Sequence, residues 1–195
     1  IGVLISRGTM ARWLIEVAQM LQPLYNLLQD KLLEQNYIGM DETTTQVLDE
    51  EGKKATSKSH MWVRYSGMGP PGPSIVLFDY APTRSGSVPQ ELLEGFKGYL
   101  QVDAYNGYDP VCQREGLIRV GCMDHARRKF MDAFKTSGSR EMGKRGLTYF
   151  KLLYKIEEDI EGRASEEKLR VRQEKSKSIL VEMKEWVDLK KGKVP

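Results

Sequence analysis

Tyr37-Ile38-Gly39-Met40-Asp41-Glu42-Thr43 and Gly98-Tyr99-Leu100-Gln101-Val102-Asp103-Ala104-Tyr105 decide how this chain folds. Each is a short apolar run that reaches an Asp and then turns small or polar. Runs of this kind read as strands that stop at a carboxylate. One carboxylate at a strand end is ordinary. Two of them, separated by a strand-rich segment, point to a shared divalent-metal site, because metal-assisted phosphoryl transfer needs hard oxygen ligands on rigid backbone. The residues alone leave a second reading open, in which Asp41 and Asp103 only end their strands and accept bonds from turn amides.

Outward from these stretches the pattern is mixed. Leu14, Val17, Leu21, Leu24, Leu28 and Leu32 recur at helical spacing, so 9–34 reads as a helix, with Ser6 or Thr9 able to cap it. Pro23 removes a backbone donor inside it, which predicts a kink or break near Gln22. The strand at 37–40, with 43–48 as its extension, is followed by a polar turn at 50–54 and a second strand at 60–65. A Gly- and Pro-rich loop at 67–73 leads to a third strand at 74–78, which reads as buried on both faces. These three strands suit an antiparallel meander. Ser87 is placed to cap a helix through 89–93, with Pro89 tolerated in its first turn. Strands at 99–102 and 116–122 follow, the first of them reached by a parallel crossover, and Asp124 opens a basic helix that runs to Phe134.

From Ser139 onward only helical patterning remains. Tyr149, Phe150, Leu152, Leu153 and Ile156 form one apolar stripe, and Leu169, Ile179, Leu180, Met183, Trp186 and Val187 a sparser second one. Two antiparallel helices joined near Gly162 would bury both, with Trp186 as a core anchor. The order of elements fits a ribonuclease H-like mixed five-stranded sheet with flanking helices, an N-terminal helix and a C-terminal helical insertion. The expected divisions are a helical leader at 1–35, the core at 36–136 and a helical hairpin at 137–195. In that topology the first and fourth strands lie side by side, which brings Asp41 next to Asp103.

Composition narrows the class. The chain has 195 residues, 40% of them hydrophobic, enough to build a core. The net charge of +3 permits nucleic-acid binding without arguing for it. Cys112 and Cys122 are too few for a disulfide framework, and with His125 they match no zinc pattern. Reduced thiols and the lack of an apolar run long enough to span a bilayer make a soluble, cytoplasmic protein with no membrane partner the expectation. The first residue, Ile1, and the abrupt end at Pro195 suggest a piece of something larger.

Five ordered blocks carry a resemblance: Asp41-Glu42-Thr43; Phe78-Asp79-Tyr80 with Arg84-Ser85-Gly86; Phe96-Lys97-Gly98-Tyr99-Leu100; Asp103-Ala104-Tyr105-Asn106-Gly107-Tyr108; and Cys122-Met123-Asp124-His125-Ala126-Arg127-Arg128-Lys129-Phe130. They resemble the transposases of bacterial insertion-sequence family sixty-six, over nearly the whole chain. The resemblance implies a DDE catalytic core, a polynucleotidyl transferase acting on double-stranded DNA at transposon ends and target. Asp41 would match the first catalytic and metal-binding Asp and Asp103 the second, around a two-metal Mg²⁺ (or Mn²⁺) site. It implies a third acid, a Glu in an Asn-Asn-x-x-Glu-Arg type segment after the helical insertion. No such segment occurs in these 195 residues, so weak or no activity of this piece by itself is expected. The stretch from Ile5 to Trp13 resembles the tail of a helix-turn-helix.

Other residues are weighed against plainer roles. His125, Arg127, Arg128 and Lys129 are candidate contacts to phosphates beside the cut; the alternative is a solvated basic face over an inward Phe130 and Phe134. Arg84 is a further DNA candidate. Glu42 should face away from Asp41 and is set aside as non-catalytic. Asp124, where the family tends to carry a small residue, reads as an N-cap. Tyr105 and Tyr108 read as packing residues. A DNA-binding protein would be nucleoid-associated, and a homo-oligomer is left open. The rival functions are a non-catalytic DNA-binding or assembly module and another ribonuclease H-like nuclease.

Overall fold

The computed structural model describes residues 2–67 and 74–190, so most of the loop expected at 67–73 lies outside the described residues. Five strands form one sheet: β1 (Tyr37–Gln46), β2 (Lys58–Ser66), β3 (Val76–Ala81), β4 (Gly98–Val102) and β5 (Leu117–Gly121), in the order β3-β2-β1-β4-β5. β1 pairs antiparallel with β2, and β2 with β3. β1 pairs parallel with β4, and β4 with β5. The expected mixed α/β sheet is therefore present, with β1 at its centre.

Alternation along β1 sets the two faces. Ile38 and Met40 point into the core, while Gly39 and Asp41 point the other way. The core face also takes Trp62, Leu77, Leu100 and Val102. It is covered by the C-terminal half of α1 (Arg7–Leu33), by α2 (Ser87–Leu92), and by a 3-10 turn at Asn106–Tyr108 that leads into the short α3 (Asp109–Cys112). On the opposite face Gly39 lets the Tyr65 ring lie across β1, since a Cβ there would sit 2.1 Å from that ring.

A buried guanidinium ties these layers together. Arg64 on β2 is fully buried. Its Nε donates to Asp79 Oδ2 at 2.9 Å, its Nη1 to the Leu92 carbonyl at 2.8 Å, and its Nη2 to Asp79 Oδ1 and Gln29 Oε1 at 3.0 and 3.1 Å. The Tyr25 hydroxyl donates to the same Asp79 carboxylate. One side chain thus joins β2 to β3, α1 and α2. Burial, reinforced by the bond to Asp79, raises the Tyr25 hydroxyl above its ordinary value.

Several local expectations are corrected. β3 is not buried on both faces: Val76, Phe78 and Tyr80 are exposed and alternate with buried or half-buried Leu77, Asp79 and Ala81, because β3 is an edge strand covered on one side only. Ser87 is the first residue of α2 rather than its cap; its N–H donates to Ser85 Oγ at 3.2 Å. α1 starts at Arg7, with Ser6 Oγ accepting from the Thr9 N–H, and runs without a break through Pro23. Pro23 removes one donor and crowds the preceding turn, and the long helix accommodates it without ending.

Contacts divide the chain into two compact units, residues 1–122 and 123–195. In the second, α4 (Met123–Lys135) packs with α5 (Arg140–Asp159) and α7 (Lys177–Lys190), and α6 (Ser165–Val171) continues into α7 through a π-helical turn at Arg172–Ser176. α4 thus falls in the same compact unit as the later helices. The reason is Phe130, whose ring centroid lies 5.9 Å from those of both Phe150 and Trp186. Trp186 is buried, the core anchor expected of it, whereas Leu152, Leu169 and Leu180 are exposed. Asp124 sits inside the first turn of α4 rather than capping it, and accepts a bond from the Tyr154 hydroxyl at 2.6 Å. α4 and α5 approach closely at Gly143, where a Cβ would lie 2.2 Å from the Phe134 backbone nitrogen.

Two substitutions test this packing. Arg64→Met leaves the half-buried Asp79 carboxylate without its cation and should cost about 3–5 kcal/mol in urea unfolding, with Arg64→Met/Asp79→Leu recovering much of the loss. Gly143→Ala forces two helix backbones apart and should lower the stability of the helical unit by roughly 1–3 kcal/mol, read from its own melting transition.

Candidate active site at the rim of the sheet

Ile38 pairs with Leu100 and Gly39 with Gln101 across the parallel β1–β4 junction. The paired register ends there; continued two residues on, it would set Asp41 opposite Asp103, on the sheet face away from the core. Neighbouring strands lie ~4.8 Å apart, so such a pair stands side by side. Both side chains are half-buried. Each carboxylate is pinned through Oδ1 by a backbone N–H, that of Glu42 for Asp41 and that of Tyr105 for Asp103, both at 2.9 Å. The turn-amide bonding weighed as an alternative to a metal site is therefore present, and it also fixes the orientation of the two groups.

Glu42, one residue on, follows the core phase of β1 and is almost wholly buried. The Tyr108 hydroxyl donates to its Oε2, and Arg84 donates from Nε to Oε1 at 2.7 Å and pairs with it through Nη2. Arg84 also stacks 3.8 Å above the Tyr105 ring, whose hydroxyl donates to the Arg84 carbonyl at 2.6 Å. Arg119 supports the loop after β4, with Nη2 donating to the Asp103 carbonyl at 2.8 Å and Nη1 paired with Asp109 at 2.6 Å. A buried carboxylate, a half-exposed guanidinium and two tyrosines thus form one connected cluster behind the Asp pair.

Electrostatics bind the cluster to that pair. Burial, then the bond from its own hydroxyl to Glu42, pushes Tyr108 far above its ordinary value, and the charges of Asp41 and Asp103 push the same way. One hydroxyl thus feels all three carboxylates. Burial alone would pull Arg84 down; the hydrogen bond and charge of Glu42 outweigh it and hold the guanidinium raised, with Asp103 adding to the effect.

Two sequence expectations read differently here. Tyr105 and Tyr108 are packing residues as expected, yet both also position charged groups. Glu42 does face away from Asp41, and it is the hub of the cluster. The available signal was its phase: a carboxylate that continues the apolar side of an alternating strand needs buried partners.

In the helical unit, Arg128 and Lys129 are exposed, while His125 and Arg127 are half-buried. Arg127 lines an open cleft of about 710 Å³ with Lys151 and Lys155. Among the described residues no group of three His, Cys, Asp or Glu side chains is placed to hold a metal ion, and no helix is long and apolar enough to cross a membrane.

The molecule is thus a mixed α/β protein built on a five-stranded sheet with both parallel and antiparallel pairs. It belongs to the Transposase IS66 family, whose model matches residues 1–195. It is similar to two proteins of Sinorhizobium fredii (strain NBRC 101917 / NGR234). It is 33% identical to the uncharacterized protein y4jD, over 97% of this chain and 39% of that protein. It is 29% identical to the uncharacterized protein y4qI, over 99% of this chain and 37% of that protein. The chain therefore spans less than two-fifths of the length of these relatives. No solved structure matches it.

His60, on β2 opposite Thr44, supplies a pH-dependent test. Its Nδ1 is buried with no hydrogen-bond partner among the described residues. Burial, then the charge of Arg84, holds the imidazole below its ordinary value, partly offset by Glu42. A depressed histidine contributes stability that is complete above the unfolded value near ~6.5 and is lost as pH falls through the folded value. Between pH 7 and 5 the urea midpoint of the native protein should fall more steeply than that of His60→Gln; parallel slopes would refute the assignment.

Proposed function

We propose that this chain supplies part of the catalytic core of a DDE-type transposase, which cuts and rejoins DNA at the ends of an insertion sequence. Asp41 and Asp103 are the two carboxylates it contributes to a divalent-metal site. The observation that supports this is the parallel β1–β4 register, which pairs Gly39 with Gln101 and, continued two residues, would align the two Asp on one face at the rim of the sheet. The strand order supports a ribonuclease H-like reading of the fold, and family membership supports DNA as the substrate.

The donor set fits Mg²⁺, with Mn²⁺ as its substitute. That ion is commonly held by one or two carboxylates and completes its shell with water and substrate phosphate. When bound there, such ions would supply Lewis acidity to the oxygens of a phosphodiester exchange. A third acid completes the proposed site.

The chain's own residues do the positioning. The Glu42 and Tyr105 amides hold the carboxylates in place before any ion or DNA arrives, which lowers the cost of ordering them on binding. Arg84, gripped by Glu42 and stacked on Tyr105, presents a fixed cation beside Asp103 for a DNA phosphate, and a planar guanidinium suits that role. His125, Arg127, Arg128 and Lys129, on the helical unit, are the further candidates for contacts to backbone phosphates beside the cut.

Mn²⁺ binding followed by electron paramagnetic resonance tests the site. Asp41→Asn and Asp103→Asn keep the side-chain shape and should each weaken binding at least about tenfold. Equal binding by all three proteins would sink the reading in favour of a non-catalytic DNA-binding module. Strand transfer by this chain alone, on DNA bearing the transposon ends, should be weak or absent.

A further inference from the structure

We propose that the first turns of α1 are a self-association surface, on which α1 of a second copy of this chain packs in parallel as a short two-stranded coiled coil. The surface is independent of the carboxylate site. Met10, Leu14, Val17, Leu21 and Leu24 follow one another at alternating steps of four and three residues. That spacing averages 3.5 residues, the repeat that keeps a single stripe turned toward a partner helix over successive turns. Leu28 continues the series and packs against the core of its own unit, where the free part of the helix ends.

The stripe before it is bare. Leu14 is 72% exposed, and the other four residues each stand more than two-fifths in water. Trp13 and Met20 extend the patch along one flank at 51% and 80% exposure. With Leu27 these side chains leave on the order of 900 Å² of apolar surface in water, more than a monomer ordinarily shows in one patch and close to the ~800 Å² that each partner gives to a standard interface. A helix draws most of its stability from packing of its apolar face, and among the described residues this stretch has no such packing.

Three features favour a second copy of the same helix. An alternating seam is complementary to itself, each knob fitting a hole between side chains of an identical stripe, and two-fold pairing uses the same patch twice. From Gly8 to Gln29 the only charged residues are Arg12 and Glu16, and both lie on the side away from the seam with Pro23, so a like copy meets no like charge. The flanks are unequal: Trp13 and Met20 line one edge, Ala11 and Ala18 the other. A parallel pair sets the large edge of each helix against the small edge of its partner, with Trp13 over Ala18. An antiparallel pair sets large against large and leaves a gap between the small edges, which packing disfavours.

Sedimentation equilibrium of the 195-residue chain tests the proposal. A discrete species of twice the 22.3 kDa chain mass is expected at tens of micromolar. Leu14→Asp/Leu21→Asp alters only exposed positions, so the fold should survive, as circular dichroism will verify, while dimerisation weakens at least about 100-fold. Met10→Cys should form an intermolecular disulfide under mild oxidation, because parallel strands bring the two copies of residue 10 together; the native chain with Cys112 and Cys122 is the control. A monomer at 100 μM would overturn the proposal and leave the stripe to a different partner. So would a dimer unchanged by the double substitution, or association without a defined size. Failure of the residue-10 crosslink in a dimer would overturn the parallel arrangement.

Discussion

The phase of β1 is the constraint on which the sheet-bearing unit depends. Side chains alternate along a strand, so the demand that Ile38 and Met40 be buried fixes where every later residue of β1 points. Glu42 inherits the core side and must find buried partners there, which it does in Tyr108 and Arg84. Asp41 inherits the other side, where the proposed metal site lies. A slip of one residue would bury Asp41, expose Met40 and undo the Glu42 cluster in a single step. The core and the candidate site are thus two consequences of one register.

Polar burial does much of the joining between layers. Arg64 binds β2 to β3, α1 and α2, and Glu42 binds β1 to the Arg84 loop and to the turn after β4. A buried charge is costly unless every partner is in place, so both clusters tolerate few alternative arrangements. For the rim of the sheet this has a functional sense: the groups behind Asp41 and Asp103 are held by interactions that do not depend on a ligand. The helical unit is built by different means, with aromatic rings on α4, α5 and α7 meeting around Trp186 and glycine allowing α4 and α5 to approach.

The chain's surface is uneven in character. One face of the sheet is covered, while the other leaves Val76, Phe78, Tyr99 and Ile118 half in water. The free part of α1 is apolar on the coiled-coil spacing. A chain that spans under two-fifths of the length of its relatives can carry surfaces that meet other parts of an assembly, and the seam on α1 is the one whose own pattern specifies its partner.

Much was legible in the sequence because period and length are local signals. The five strands, the long first helix and the anchoring role of Trp186 all followed from alternation, helical spacing and the ends of apolar runs. The burial of β3 was out of reach because a short apolar run looks alike whether its sheet is covered on one face or on both, and here even Tyr99 on the interior strand β4 is exposed. Ser87 lost its capping role because it bonds to Ser85 and opens the helix itself. The partners of Arg64 and Glu42, and the grouping of α4 with α5 and α7, were out of reach of sequence spacing. Those contacts join residues far apart along the chain, and such pairings exist only once the sheet register and the helix packing have been set.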